Sequence, residues 1–218
     1  GKADAVAMCR ALIADPYWPK KVRAGRLNEI HQCLRCTNCL AEMHPTDQFH
    51  CDVNPFSGHE VLFQDLKSKA ARAKTVWIAG GGPGGMTAAI TAAERGHTVT
   101  LFEAGERLGG LLNYTDKDQK FKRDLHLFKE KLVARVGELP IEVKLNTRLT
   151  PDMVKEGKPD ALLIAIGAAP IFPPIPGLTA EAVTTGYDCY LHPEQVGHKV
   201  VCIGGGLVGW IGGGLVTS

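Results

Sequence analysis

The chain has 218 residues, 44% hydrophobic and 22% charged, with a formal net charge of +2. That is enough apolar mass for one large or two small domains. Lys and Arg are interleaved with acids, which leaves no nucleic-acid footprint, and no charged-then-apolar leader opens the chain, so no export signal is expected. Of the seven cysteines, four crowd between Cys33 and Cys51, a spacing that favours metal ligation in a reducing compartment, the cytoplasm, over disulfides.

In chain order, Ala5 to Met8 reads as a short buried strand running into a helical turn that Asp15-Pro16 stops. Helical character resumes near Lys20 to Ala24, up to Gly25. A strand placed there has nothing before it to pair with, so residues 1–26 are expected to be the tail of a larger domain. Residues 27–60 carry Cys33-x2-Cys36-x2-Cys39-x11-Cys51. Three thiolates at three-residue intervals wrap one corner of a cube, and the fourth returns to close it, which suits a [4Fe–4S] cluster. Tetrahedral zinc is the alternative, although zinc sites usually show two separated Cys pairs. With four cysteines completing the set, His31, His44, His50 and His59 are expected at the surface or behind the ligands. Asn54-Pro55 and Ser57-Gly58 are turn chemistry closing the segment. Residues 61–74, with Lys67, Lys69, Arg72 and Lys74, read as a solvated connector.

The most informative stretch is Val76-Trp77-Ile78-Ala79-Gly80-Gly81-Gly82-Pro83-Gly84-Gly85-Met86. A β-branched apolar run leads into glycines, and Thr87 to Glu94 reads as a helix. Gly80, Gly82 and Gly85 have the G-x-G-x-x-G spacing. The first permits a tight turn, the second lets a pyrophosphate approach the backbone, and the third lets helix and strand pack closely. The helix N-terminus adds free N–H groups and a positive dipole end. A second strand, Thr98 to Phe102, ends in Glu103, where an acid grips ribose hydroxyls. The whole therefore reads as an α/β, Rossmann-like dinucleotide-binding domain over residues 75–198.

Beyond Glu103, Arg107 can reach a phosphate and Gly109-Gly110 frees the backbone for close approach to a ligand. Asp118 to Val136 is an amphipathic helix with Phe121, Leu125, Phe128 and Leu132 on one face. Ile141 to Leu145 alternates as a strand with Glu142 and Lys144 outward. Thr150-Pro151-Asp152 starts a helix, with Thr as the cap. Asp160 to Gly167 reads as a buried strand, and Pro173 to Gly177 as a stiff linker. Within residues 199–218, Gly204, Gly206 and Gly209 repeat the fingerprint after Val200 to Ile203. The apolar run there is Gly-dense and short of a bilayer span, so a second dinucleotide loop is expected and no membrane segment. Ile203 to Val208 recurs as Ile211 to Val216, poor helix material, which reads as a truncated end.

These motifs in this order resemble the 2,4-dienoyl-CoA reductase, enoate reductase and trimethylamine dehydrogenase group. The opening Ala3-Asp4-x-Val6-x-Met8-x-Arg10-x-Leu12-Ile13-Ala14-Asp15-Pro16 resembles the last strand and helix of that group's old-yellow-enzyme-like TIM barrel. The resemblance implies that Arg10 lies at an FMN phosphate and that Cys33, Cys36, Cys39 and Cys51 hold a [4Fe–4S] cluster. It implies FAD, or ADP, at Gly80, Gly82, Pro83, Gly84, Gly85 and Glu103, with Arg107, Gly109, Gly110 and Gly167 on the flavin side. Gly204, Gly206 and Gly209 would start an NAD(P)H domain. Electrons would pass from NAD(P)H through FAD and the cluster to FMN and on to an activated alkene, an unsaturated acid or thioester. Cys9 stands where the group usually has Gly, and Ile166 where it has Thr.

On this reading the chain is a fragment whose catalytic residues lie elsewhere. A glutamate-synthase-like small subunit would also place cysteines before an FAD domain, but with more of them and without residues 1–26. A zinc-stapled nucleotide-binding module and an inactive truncation are the alternatives from other classes.

Overall fold

The computed structural model describes residues 2–41, 50–63, 68–117, 120, 122–169, 175–176, 183–197 and 199–203. At its centre is a parallel sheet of β1 (Thr75–Ala79), β2 (Thr98–Phe102), β3 (Ile141–Lys144) and β4 (Ala161–Ile164), in the order β3-β2-β1-β4. Ile78 lies opposite Leu101 and Leu163, and Leu101 opposite Val143. The chain steps outward on one side, β1 to β2 to β3, then crosses back to the other side of β1. The order therefore reverses between β1 and β4, and the crevice beyond the carboxyl ends of those two strands is where such sheets bind ligands.

Between β1 and β2 runs α4 (Pro83–Glu94), and between β2 and β3 runs α5 (Arg123–Glu138). Ile78, Val99 and Leu101 point to one face and close against Met86, Ala89 and Ala93 of α4 and Val136 of α5. The alanines on α4 let the helix lie close to the sheet. On the other face, Trp77 and Phe102 pack with ring centroids 5.0 Å apart, and Gly157 of α6 (Pro151–Gly157) has no Cβ where the Trp77 ring sits. As expected, Thr150 caps α6, its hydroxyl accepting the Met153 N–H at 3.3 Å.

Ahead of the sheet, α1 (Arg10–Ala14), α2 (Trp18–Arg23) and α3 (Asn38–Ala41) are short helices. One carboxylate ties α1 and α2 to the segment at His31. Asp15, only 2% exposed, takes the Lys21 ammonium at 2.7 Å and the His31 N–H at 3.0 Å on one oxygen, and the Tyr17 N–H at 3.0 Å on the other. Burial raises its pKa, but Lys21 and the N–H donors outweigh this and hold it below the usual carboxylate range. A further helix, α7 (Gly186–Leu191), is capped by Thr185.

Several expectations are corrected. Ala5 to Met8 forms no strand; Ala5, Val6 and Ala7 are exposed, and no strand lies alongside to supply a ladder among the described residues. The helix after the first glycines begins at Pro83, earlier than expected. The amphipathic helix begins at Arg123, and its buried positions are Lys129 and Val136, while Leu125, Phe128 and Leu132 are half-buried. Strand β4 is not buried among the described residues: Ile164 is 68% exposed, and β4 is there the edge strand, with β1 as its one neighbour. Phe121, the linker residues 173, 174 and 177, and Gly204, Gly206 and Gly209 lie outside the described residues.

Candidate functional site

Two loops meet at the strand-order reversal. Gly80 leaves β1 at φ +105°, and a Cβ there would run into the Ala165 carbonyl just past β4. Gly85 packs its Cα side against the Gly80 carbonyl, so glycine is required at both ends of the turn. Gly82 is the N-cap of α4 and Pro83 its first residue. Gly84 has open space beside it. The loop after β2 comes back onto this turn. The Gly109 N–H donates to the Gly81 carbonyl at 2.9 Å, and a Cβ on Gly110 would lie 2.9 Å from the Gly82 Cα. Gly109 and Gly110 hold φ +120° and +55°, values open mainly to glycine. Gly167 also has a positive φ, and a Cβ there would meet nothing within 4 Å among the described residues. Gly81, not singled out from the sequence, has no room for a side chain because Leu108 and Glu103 close on it.

Glu103 sits at the end of β2 with both carboxylate oxygens engaged. The N–H groups of Gly81 and Gly105 each donate to one oxygen at 2.6 Å, and the remaining lone pairs can accept hydroxyls. Arg107 pairs with Asp116 at 2.8 Å. Asp116 also takes Lys129, which is buried; His126 Nδ1 lies 3.1 Å from the same carboxylate without a hydrogen bond to it. Burial pushes the Asp116 pKa up, but Lys129 and Arg107 outweigh it and keep the group ionised. An open cleft of about 350 Å³ lies here, lined by Arg107, Asn113, Lys129 and the apolar Leu108, Val133 and Val143 among others. The amphipathic pattern missed Lys129, since its partner lies thirteen residues away.

Forming a second site, the structure brings Cys33, Cys36, Cys39 and Cys51 around one small pocket with Arg10, Ile13, Leu34, Thr37, Asp52 and Val53. All four are free thiols. Burial and the neighbouring Cys51 and Cys33 push the Cys39 thiol pKa up; burial and Asp52 do the same to Cys36. Among the described residues, no three cysteine sulfurs lie within 4.8 Å of one another. Tetrahedral zinc, with Zn–S near 2.3 Å, would set its sulfurs about 3.8 Å apart. The donor set is all thiol, a chemistry that can hold an iron–sulfur cluster or zinc. Between the ligating positions, Arg35 (φ +58°) and Thr37 (φ +62°) are in left-handed backbone, a conformation that costs roughly 1–2 kcal/mol per non-glycine residue and that collects at functional sites. Asn38 donates to Asp52 at 2.8 Å, and buried Asn54 donates to the Ile13 carbonyl at 2.7 Å, tying the Cys51 turn to α1. Arg10 is exposed and lies at this pocket, beside Cys39. His31 and His59 do not line it, and His44 lies outside the described residues.

Thr37→Asn is expected to stabilise the metal-free chain by about 1 kcal/mol, since Asn enters left-handed backbone more readily than a β-branched residue. A denaturant-midpoint comparison checks this.

Residues 74–214 match the family described as pyridine nucleotide-disulphide oxidoreductase. The chain belongs to that family. Its parallel sheet is the family's FAD/NAD(P)-binding domain. This family member is 37% identical to the NADH oxidase of Thermoanaerobacter brockii over 215 residues, 96% of this chain and 33% of the relative. It is 37% identical to the cinnamate reductase of Clostridium sporogenes over 96% of this chain and 31% of that one. A solved structure of 2-naphthoyl-CoA reductase with 2-naphthoyl-CoA superposes with a TM-score of 0.89 at 36% identity, covering 99% of this chain and 33% of that chain. The chain therefore spans about a third of the length of these relatives. No helix among the described residues is long and apolar enough to cross a membrane.

Proposed function

We propose that this chain is the electron-transfer section of an iron–sulfur flavoprotein oxidoreductase. The observation that supports the reading is the pocket that Cys33, Cys36, Cys39 and Cys51 line together, an all-thiol set whose tight triplet plus one suits an iron–sulfur cluster. Cys33, Cys36, Cys39 and Cys51 ligate a [4Fe–4S] cluster, which supplies one-electron transfer when bound. Gly80, Gly82, Pro83, Gly84 and Gly85 surround a dinucleotide pyrophosphate at the N-terminus of α4. Glu103 accepts ribose hydroxyls while held by Gly81 and Gly105. Arg107, Gly109, Gly110 and Gly167 line the flavin side of FAD, and Gly204, Gly206 and Gly209 begin an NAD(P)H site. The protein binds and orients; the cofactors carry the redox chemistry.

In the whole protein, residues 1–26 close an FMN barrel with Arg10 near the phosphate, and residues 27–60 form the cluster segment. Residues 61–74 connect it to the FAD domain of residues 75–198, and residues 199–218 open the NAD(P)H domain. The substrate class is a small molecule with an activated C=C bond, such as an unsaturated acid or thioester. Names of two relatives, a cinnamate reductase and a naphthoyl-CoA reductase, support that class. A dimethylamine dehydrogenase of Hyphomicrobium, 30% identical over 93% of this chain, supports amine oxidation as the second reading.

Anaerobic purification with iron, zinc and flavin analysis tests the proposal. About four irons per chain with FAD is the expected result; zinc, or neither metal nor flavin, overturns it. Cys39→Ala is expected to abolish iron retention, because Cys39 is the buried member of the set.

A further inference from the structure

One carboxylate joins the cysteine pocket to the nucleotide-binding fold. Asp124, in the first turn of α5, accepts Arg35 Nε on one oxygen at 2.5 Å and Gln32 Nε2 on the other at 3.4 Å. These two residues bracket Cys33, and the Arg35 backbone N–H donates to the Cys33 sulfur at 3.4 Å. Seven residues along the same helix, and so on the same face, Lys131 donates to the Ile30 carbonyl at 3.3 Å. The cysteine segment thus lies along α5 and is pinned at two points.

The pin at Asp124 has a specific consequence. Arg35 is an exposed arginine in left-handed backbone. Nothing in its own side chain favours that conformation, which must be imposed from outside. Asp124, whose side chain is 16% exposed against 69% for Arg35, is the fixed partner. It holds Gln32, just before Cys33, and Arg35, two residues after it, while Arg35, itself in left-handed backbone, aims its N–H at the sulfur. Hydrogen bonds to ligand sulfurs are among the features that tune iron–sulfur centres, and the groups that orient ligands matter nearly as much as the ligands.

We propose that Asp124 is a positioning residue for the cysteine site. Through Gln32 and Arg35 it sets Cys33 in place, and it makes metal retention at the cysteines depend on a helix of the nucleotide-binding domain. This rests on the iron–sulfur reading above.

The test uses the full chain loaded anaerobically with iron and sulfide, as wild type, Asp124→Asn, Arg35→Ala and the double variant. Loss of visible absorbance is followed under excess chelator, beside the thermal midpoint of each metal-free protein. Each single variant is expected to lose its cluster about tenfold faster, the scale of lost outer-shell support. The double variant should be no faster than either, since both remove one contact. Asp124→Glu should recover most of the wild-type rate, and Lys155→Ala on α6 should leave it unchanged. Rates equal to wild type, or single effects that multiply in the double variant, overturn the proposal. If Asp124→Asn does not fold, Arg35→Ala, altered at an exposed side chain, decides alone. A wild-type chain that takes up zinc or no metal overturns the iron–sulfur reading and this proposal together. A cluster-bearing wild type with indifferent variants overturns only the role of Asp124.

Discussion

Gly85→Ala is expected to lower stability by about 3 kcal/mol, at the upper end of the range for overpacking. The added methyl would enter the Gly80 carbonyl, and Ile78 Cγ2 lies 3.5 Å away on its other side. Neither can retreat. Ile78 is fully buried, and the Gly80 backbone is fixed by its own N–H bond to the Phe102 carbonyl at 2.8 Å. Relief therefore requires α4 to move off the sheet, which opens the core at Met86 and Ala89. Gly84→Ala, one position earlier, should do the opposite. Its Cβ meets nothing within 4 Å, and alanine is better than glycine inside a helix by up to about 1 kcal/mol. Denaturant midpoints of the two variants should move in opposite directions. If Gly84 faces a pyrophosphate, the same methyl should weaken binding of ADP while the fold gains stability, and titration with ADP separates the two effects.

The second large effect is at Asp15. Asp15→Ala is expected to cost about 3 kcal/mol, because it leaves two backbone N–H groups without their acceptor and the Lys21 ammonium, still bonded to the Glu29 carbonyl, without its counter-ion. The loss should fall first on residues 10–31, seen as faster proteolysis there. The pH dependence has a definite sign. The folded pKa of Asp15 is depressed, so its stabilisation is fully present above the unfolded value of about 3.9. It is lost as pH falls through the lower folded value. Unfolding of wild type should therefore steepen on acidification below about pH 4, while Asp15→Asn should be less stable at neutral pH and flatter through that range. An equal acid response in the two proteins would remove Asp15 from the account.

The sequence was legible where local sterics decide. Gly80, Gly82 and Gly85 could be assigned because each answers a backbone constraint visible within six residues, and the structure has glycine where a side chain would collide at the first and last. Thr98 to Phe102 and the Thr150 cap follow from short-range pattern in the same way. The gathering of four cysteines followed from their spacing. What could not be read depends on distant partners. Asp15 looked like a helix stop beside Pro16, yet one of its donors is sixteen residues on. Lys129 belongs to a helix face that looked apolar, and it is buried because Asp116 meets it there. Asp124 was invisible for the same reason, since Arg35 is eighty-nine residues away. Strand β4 misled in the other direction. Its composition says buried, but burial belongs to what packs on a strand, and among the described residues β4 has only β1 beside it.

Glu103 is an acceptor ordered ahead of its guest. A free glutamate side chain loses about 1.5–2 kcal/mol of rotational freedom when it is fixed. Here the Gly81 and Gly105 amides fix both oxygens before any ligand arrives. The entropy is therefore lost on folding and not on association, and a hydroxyl-bearing guest meets an acceptor already aimed. Shortening the side chain by one methylene in Glu103→Asp would break the bridge between the two amides, and the guest would then have to order the carboxylate itself.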